Sequence, residues 1–236
     1  MTTSDIVIVA AQEALSADAR PRQRRSVGGS RLRTPLLVPG DDIVTVAKVA
    51  LASAGLTLRP GDILAICESP LAITQGRFAD IDDVHPGRAA RVLCRLFRTD
   101  GSLGDPYGMQ LAIEEAGLAR IALAVVVGMA GRLIGRRGDF YRLAGRQVAW
   151  IDAIAGTMGP YSQCLVLGPH DPGGVARAVA VALGCGVAVV DVNDRGNVEI
   201  MGASAGIDRD GFTAVMRANP QGNDDEQTPL VLVRGC

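Results

Sequence analysis

Residues 187–192 read Val-Ala-Val-Val-Asp-Val and form the most apolar strand-like segment of the chain. A short run of this kind, preceded by glycine and followed by polar residues, is typical of a strand that is buried on both faces. Asp191 lies near its end, and Asn193 and Asp194 follow at once. The segment therefore predicts both a core strand and an acidic edge to the sheet that contains it.

The other segments predict a mixture of strands and helices. Strands are predicted at residues 5–10, 63–67, 121–127, 148–151, 164–167, 198–201 and 230–233, with a short pair around Leu133 and Tyr141. Helices are predicted at 43–54 with a cap from Asp41-Asp42, from His85-Pro86 with Pro86 in the first position to about residue 97, and at 107–116. Further helices are predicted from Asp171 with Val175, Ala178, Val179 and Ala182 facing inward, and at 211–217 with Asp208 as a cap. Loops are predicted at 101–104 and in the arginine-rich segment 15–33.

These strands and helices neither alternate strictly nor segregate along the chain. That order favours a mixed sheet in an α/β fold over a doubly wound parallel one. A length of 236 residues suits one domain, or one domain with an inserted lobe. We therefore expect a single mixed α/β unit over residues 1–236, with or without a second lobe.

Composition and charge exclude several classes of function. Lys48 is the only lysine, and no phosphate-binding loop of the glycine-rich, lysine-bearing kind occurs. Two histidines and five scattered cysteines give poor support to zinc sites or Ser-His-Asp triads. A net charge of −1 gives no electrostatic reason to expect nucleic acid or a membrane surface as partner. The scattered cysteines and the missing secretory signal predict reduced thiols and a cytoplasmic location.

Oxygen-bearing side chains are the candidate metal ligands. Asp191, Asn193 and Asp194 follow the core strand, and Mg²⁺ and Mn²⁺ prefer such ligands. The alternative is a polar turn between two strands, since Asn and Asp favour turns for backbone reasons. Asp152 is a second candidate because it precedes the glycine-rich segment 155–159, whose backbone N–H groups could approach a phosphate.

Arginines are the candidate anion-binding groups. Residues 68–77 follow a predicted strand and end in Arg77, whose guanidinium could grip a phosphate or a carboxylate with two parallel hydrogen bonds. The alternative for Arg77 is an ordinary surface position. The arginines between residues 20 and 33 form either a solvated loop or a clamp that orders on an anionic ligand.

Several strings of the chain together resemble one family. They are TPLLVPGDD at 34–42, PGDILAI at 60–66, QGR at 75–77, LVLGPHDP at 165–172, VNDRG at 192–196 and PLVLVRG at 229–235. In this order they resemble the coenzyme F-420-0:L-glutamate ligases (CofE-type γ-glutamyl ligases). The resemblance implies a mixed α/β ligase fold and an intertwined homodimer.

The resemblance also implies a reaction. A carboxylate on a small acceptor is phosphorylated by GTP, or by ATP in a variant, and the amine of an amino acid such as glutamate attacks the acyl phosphate. Mg²⁺ or Mn²⁺ would neutralise the charge on the transferred phosphoryl group.

Carried over position by position, the resemblance implies a set of site residues. The nucleotide contacts are Thr34, Pro35, Leu36, Leu37, Ala72 and Ile73, and the metal ligands are Asp152, Asn193 and Asp194, to which the end of the core strand adds Asp191. Asp194 and Arg77 are the predicted catalytic residues, and Glu68 and Gln75 are predicted substrate contacts. Residues 101–110 have no clear counterpart in the family, so Tyr107 and Gln110 are predicted to contact a different substrate.

The chain departs from the family where charge matters most. The family's Ser-Lys-Ala-Glu-Gly-Arg string is replaced by Ala72-Ile73-Thr74-Gln75-Gly76-Arg77, which loses a lysine and a glutamate, and Ala155 stands where the family has an asparagine. An amide cannot replace a charged ligand without a cost in affinity for a metal–polyphosphate complex. Two alternatives to the ligase therefore stay open: a non-catalytic protein that binds a nucleotide or another anion, and a metal-assisted phosphate hydrolase.

Overall fold

A computed structural model describes residues 28–98, 101–152, 159–193, 195–222 and 226–235 of the chain. The predicted strand at 5–10, most of the arginine-rich segment and Asp194 lie outside these residues. The chain divides into two compact units. Unit 1 contains the described residues up to Gly76 and from His170 onward, and unit 2 is Arg77–Pro169.

The described residues contain seven strands and nine α-helices. The strands are β1 (Gly29–Leu32), β2 (Ile63–Cys67), β3 (Phe78–Asp80), β4 (Cys164–Val166), β5 (Gly186–Val192), β6 (Val198–Ala203) and β7 (Leu230–Val233). The helices are α1 (Ile43–Ser53), α2 (Glu68–Thr74), α3 (Arg88–Leu93), α4 (Pro106–Ala116), α5 (Leu118–Leu133), α6 (Asp139–Ala144), α7 (Arg146–Ala149), α8 (Pro172–Leu183) and α9 (Arg209–Met216). Short 3-10 turns lie at Cys94–Leu96, Ser102–Gly104 and Gly159–Tyr161.

Unit 1 is built on a five-stranded sheet in the order β1-β7-β2-β5-β6. β2 and β5 run parallel, whereas β1 with β7, β7 with β2, and β5 with β6 are antiparallel. The predicted mixed sheet is therefore confirmed. In the parallel pair Ile63 lies opposite Gly186 and Cys67 opposite Val190, so both strands end at the same edge.

Both faces of this sheet are covered, as the apolar strands require. On one face Ala65, Val190 and Val231 pack with Phe212 and Met216 of α9, all of them nearly or fully inaccessible to solvent. α8 packs on β5 and β6. Asp42 caps α1 by accepting from the N–H groups of Val44 and Thr45, and Asp208 caps α9. Both caps were predicted from the sequence.

Unit 2 is mainly helical. Its core is formed by Val84, Ala90, Cys94, Leu103, Met109, Leu111, Ala112, Ile121, Ala124, Val125, Phe140, Ala144, Val148, Ile151 and Leu165. The antiparallel pair β3–β4 is its only sheet among the described residues, and an isolated bridge joins Asp152 to Val166. No helix in the described part of the chain is long and apolar enough to cross a membrane.

The strands predicted in the middle of unit 2 are wrong. Residues 121–127 lie in α5, Tyr141 lies in α6, and residues 146–149 form α7. β-branched residues favour a strand locally, but Ile121, Ala124 and Val125 recur at helical spacing and are buried together in the unit 2 core. Burial of this helical face therefore decides the structure against the local preference.

Other boundaries also differ from the predictions. α3 begins at Arg88 with Gly87 at its cap, so Pro86 is not its first residue. Residues 29–32 of the predicted arginine-rich loop form β1, because their backbone pairs with β7. A 3-10 turn lies within the predicted loop at 101–104. In α8 the buried residues are Pro172, Ala176 and Val179, whereas Ala178 and Ala182 are exposed.

Gly202 allows the start of α8 to lie against β6. A Cβ atom added at Gly202 would overlap the backbone of Pro172 and Gly173. We expect Gly202→Ala to lower the free energy of unfolding by about 1–3 kcal/mol, because backbone must move to admit the methyl group. Gly173→Ala is the matched control, since its added Cβ would meet the flexible Arg177 side chain. Equal unfolding midpoints in urea for the two variants would contradict this account.

Candidate functional site

Two carboxylates meet at the edge where β2 and β5 end. Cys67 and Val190 are opposite each other in the parallel pair, so the next residues, Glu68 and Asp191, lie side by side. The charge of Asp191 contributes to the raised pKa of both the Glu68 carboxyl and the Cys67 thiol. Glu68 is half-buried and begins α2, while Asp191 is exposed. Register alone therefore brings together two acidic residues that are 123 positions apart in the sequence.

Glu68 is held in a polar pocket that disfavours its charged form. Its Oε1 accepts from the Ser69 hydroxyl at 2.9 Å, and its Oε2 accepts from the Cys67 thiol at 3.3 Å. Burial, followed by the charge of Asp191, raises the pKa of Glu68 from 4.5 to about 7. Burial and the Glu68 carboxyl together raise the pKa of the Cys67 thiol well above its usual range. Near neutral pH the Glu68 carboxyl is therefore protonated for much of the time, and the neighbouring Cys67 thiol is neutral.

Gln221 completes this pocket from the segment after α9. Its side chain is 4% exposed, and its Nε2 donates to the Cys67 sulfur at 3.4 Å. Its Oε1 is buried and accepts no hydrogen bond from the described residues. Leaving such an oxygen unsatisfied costs about 1–3 kcal/mol, so this position favours a donor from water or a ligand. We name the group of Cys67, Glu68, Ser69, Asp191 and Gln221 the carboxylate pocket.

The predicted metal ligands do not form one described cluster. Asn193 uses its Oδ1 to accept from the N–H groups of Arg195 at 3.0 Å and Asn197 at 3.2 Å, which supports its turn role. Asp152 belongs to unit 2, and Asp194 lies outside the described residues. Within the described ranges no group of three His, Cys, Asp or Glu side chains could hold a metal ion. The metal site stays a prediction, and of its predicted ligands Asp191 and Asn193 lie in the described part of unit 1.

Arg77 is already occupied by groups of its own unit. Its Nε donates to the Gly168 carbonyl at 3.1 Å, one terminal nitrogen donates to Glu115 at 3.0 Å, and the other donates to Gln147 at 2.9 Å. Only 12% of its side chain is exposed. This geometry gives Arg77 a structural role in unit 2, and a ligand would have to replace some of these bonds.

Gln75 explains one departure from the family pattern. Its Nε2 donates to the His170 carbonyl at 3.1 Å, and its Oε1 accepts from the His170 N–H at 2.6 Å. An amide satisfies both groups, whereas an ionised glutamate could only accept. Gln75 therefore joins two segments of unit 1 that lie 95 residues apart, immediately next to the points where the chain enters and leaves unit 2.

The other predicted contacts differ in how accessible they are. Thr34, Leu37, Ala72 and Ile73 are buried, with Thr34 bonded to the Pro35 carbonyl through its hydroxyl and to the Gln227 carbonyl through its N–H. Pro35 is exposed and Leu36 half-buried, so these two side chains offer the accessible surface of this segment.

The remaining predicted substrate contacts belong to unit 2. Tyr107 is half-buried in the first turn of α4, on which Gln110 also lies. Gln110 accepts from the Gly87 N–H at 3.0 Å and donates to Glu114 at 2.8 Å. Both ends of the Gln110 amide are therefore used within the unit.

Sequence reasoning missed three members of the carboxylate pocket. Cys67 and Ser69 flank Glu68 directly, and their position at the end of a confirmed strand was a usable signal. Gln221 carried no such signal, because only the return of the chain beside β2 brings it to Cys67.

Together the sheet and the pocket define a mixed α/β protein with acidic groups at the carboxyl ends of parallel strands, where open α/β sheets bind their ligands. A family model described as F420-0:Gamma-glutamyl ligase matches residues 31–221. The chain belongs to this family of ligases, which form γ-glutamyl bonds, and the family resemblance inferred from the sequence is thereby confirmed. No curated protein matches the chain.

The carboxylate pair should make stability depend on pH. Between about pH 4.5 and 7 the folded protein retains a proton on Glu68 that the unfolded chain releases, so the free energy of unfolding should fall as pH rises through this range. The fall attributable to Glu68 should be roughly 2–3 kcal/mol. Asp191→Asn should reduce it, because one cause of the raised pKa is removed. Urea titrations of both proteins at several pH values measure the difference, and identical slopes would contradict the coupling.

Gln75→Glu should also give a pH-dependent loss of stability. Above the pKa of the new carboxyl, the ionised group cannot donate to the His170 carbonyl, and we expect a loss of about 1–3 kcal/mol. Acidification should recover part of that loss, because a protonated carboxyl regains a donor. Gln163→Glu, at an exposed position, is the control. Thermal unfolding measured across pH tests this, and a loss that acid does not reduce would contradict it.

Proposed function

We propose that the protein is a nucleotide-dependent ligase that joins an amino acid, such as glutamate, to a small carboxylic acid through an amide bond. The family supports the formation of a γ-glutamyl bond. The observation that carries the rest is the meeting of Glu68 and Asp191 at the ends of two parallel strands. An acyl phosphate made from GTP or ATP is the proposed activated form of the acid.

The carboxylate pocket fits Mg²⁺ or Mn²⁺ on the chemistry of its donors. Glu68 and Asp191 repel each other when both are ionised, which contributes to the raised pKa of Glu68. A divalent cation prefers carboxylate oxygens and would offset this repulsion. Glu68 and Asp191 would hold it, with Asp194 as the further ligand of unit 1 that the sequence predicts. Bound there, the cation would neutralise charge on the transferred phosphoryl group.

The protein's own residues would keep that edge ordered. Ser69 and Cys67 donate to Glu68 and fix both of its carboxyl oxygens. The shared proton would leave when a cation binds, because metal ligands bind as carboxylates. Gln221 lies behind Cys67 and limits the freedom of the thiol. In this proposal Gln75 holds the end of α2 through its two hydrogen bonds to the backbone of His170.

One observation favours the non-catalytic alternative. The position where the family has a glutamate is occupied by Gln75, whose amide is fully used on His170. If that glutamate is needed for catalysis, the chain would bind a nucleotide without turning it over. The predicted cytoplasmic location and homodimer belong to the proposal with either activity.

Phosphate release separates these functions. The protein is incubated with GTP or ATP, Mn²⁺, glutamate and a panel of small carboxylic acids. Release that requires both an acid and glutamate supports the ligase, whereas release without them indicates a hydrolase. Nucleotide binding by calorimetry without release supports the non-catalytic alternative. If no nucleotide binds with either Mg²⁺ or Mn²⁺, the ligase proposal fails.

Substitutions in the carboxylate pair should remove metal dependence. We expect Glu68→Gln and Asp191→Asn each to lower Mn²⁺ affinity at least tenfold, which corresponds to about 1.4 kcal/mol, and to lower phosphate release similarly. Asp210→Asn is the control, because Asp210 is exposed on α9. Calorimetry with Mn²⁺ alone gives the affinity. Unchanged Mn²⁺ affinity in both pocket variants would indicate that Asp191 is a turn residue at the end of its strand and not a metal ligand.

A further inference from the structure

Two arginines of unit 2 share one buried carboxylate at the start of α6. Arg136 holds both oxygens of Asp139, with its Nε 3.2 Å from Oδ2 and a terminal nitrogen donating to Oδ1 at 3.3 Å. Arg142 donates to the same Oδ1 at 2.6 Å. The Asp139 side chain is 9% exposed, whereas those of Arg136 and Arg142 are 63% and 69% exposed. The buried carboxylate therefore fixes two cationic side chains that reach solvent.

This cluster carries one positive charge in excess. The hydrogen bond from Arg142, reinforced by Arg136 and opposed by burial, lowers the pKa of Asp139. Asp139 is therefore ionised at neutral pH, and arginine is always charged. Two positive charges thus share one negative charge, and a second anion of charge −1 would balance them.

Arg142 keeps donors available for such an anion. One of its terminal nitrogens binds Asp139, and none of the described residues accepts from its Nε or from its other terminal nitrogen. Two adjacent guanidinium nitrogens match the two oxygens of a carboxylate with a pair of parallel hydrogen bonds. The geometry of the cluster therefore suits a carboxylate.

The three charged side chains line a groove between α5 and α6 that is otherwise apolar. Val127, Ala130, Ile134 and Leu143 form most of the remaining lining. The groove has a volume of about 560 Å³, within the range of about 300–1,000 Å³ that is typical of small-molecule sites. Such sites combine a mostly apolar lining with a few convergent polar groups. The groove therefore has the size and the composition of a site for a small molecule that is apolar at one end and anionic at the other.

Two glycines of α5 allow α6 to lie close enough to form this site. A Cβ atom added at Gly131 would overlap the Asp139 carboxylate, and one added at Gly128 would lie 2.9 Å from the Cβ of Phe140. The close approach of the helices buries Asp139 against α5. It thereby holds the group to which both arginines bind.

We propose that this groove binds a free monocarboxylic acid with an aliphatic chain of medium length. Its carboxylate would accept from the Nε and the available terminal nitrogen of Arg142, and its chain would lie along the apolar lining. Val127 and Ile134 are about 10 Å apart along the helix, which limits the chain to medium length. A phosphate monoester carries about 1.5–2 negative charges and would exceed the charge that the cluster can balance. The site belongs to unit 2 and does not depend on the carboxylate pocket or on the proposed ligase reaction.

Calorimetry with matched ligands tests the chemistry of the groove. The full chain is titrated separately with octanoate, octanol, acetate and octyl phosphate. Octanoate should bind roughly tenfold or more tightly than octanol, because the alcohol lacks the charged hydrogen bonds to Arg142. It should also bind about a hundredfold more tightly than acetate, because each fully buried methylene group adds about fourfold in affinity. Octyl phosphate should bind more weakly than octanoate.

An arginine substitution tests the position of the carboxylate. Arg142→Gln should lower the affinity for octanoate roughly tenfold, while Asp139 keeps both of its bonds from Arg136. Arg137→Gln is the matched control, because Arg137 is exposed and does not line the groove. Circular dichroism should show that both variants fold.

A larger side chain tests the position of the aliphatic chain. Ala130 is exposed and lines the groove, so Ala130→Trp should fill it and abolish octanoate binding without disturbing the core. Ala149→Trp is the control, because Ala149 is exposed on α7 and lies outside the groove. Thermal unfolding should give both variants the midpoint of the wild-type chain.

Each of four results would overturn the proposal. Octanol binding as tightly as octanoate would remove the role of the arginines, and tighter binding of octyl phosphate would identify a phosphate ester as the ligand. Octanoate affinity that is unchanged in Arg142→Gln and Ala130→Trp would place the ligand elsewhere on the chain. A wild-type chain that does not bind octanoate, but forms a dimer that Ala130→Trp dissociates, would show that a second copy covers the groove.

Discussion

The parallel pairing of β2 with β5 is the contact on which the site depends. A slip of one residue in β5 would carry Asp191 to the face where Val190 and Val192 are buried, so it is strongly disfavoured. The apolar residues before Cys67 and Val190 thus fix the register, and the register in turn sets Glu68 beside Asp191. Core packing therefore fixes the closeness of the two carboxylates, and with it their mutual repulsion. Its relief by a proton on Glu68 is the chemical property that the sheet creates.

Some residues around this pair form hydrogen bonds with the Glu68 carboxyl or with its neighbour Cys67, and others hold the backbone in place. Ser69, Cys67 and Gln221 act on Glu68 directly or through one another. Gln75 acts at a distance, by joining the end of α2 to the start of the segment that leads into α8. The resemblance predicts a glutamate at this position, and an ionised glutamate could not donate to the His170 carbonyl as Gln75 does.

The sequence predicted unit 1 far better than unit 2, for a physical reason. In unit 1 the strands 63–67 and 230–233 carry strong local signals. Asp42 caps α1 and Asp208 caps α9, and these caps can also be found in the sequence. In unit 2 the β-branched run in α5 favours a strand, and only contacts with α4 and α6 select the helix. The prediction of the site has the same limit, although Asp191 itself could be identified at the end of its strand. Its pairing with Glu68 and the arrival of Gln221 depend on long-range register, which no local pattern contains.

The failed strand prediction in α5 has a physical cause. A segment with apolar residues in nearly every position carries no amphipathic period, so its sequence cannot tell a buried strand from a helix buried on all sides. The unit 2 core buries only one side of α5. Within the segment predicted as a strand, Ile121 and Val125 are buried, whereas Leu123, Val126 and Val127 are exposed. The helical period therefore shows in the burial of these residues and not in their hydrophobicity.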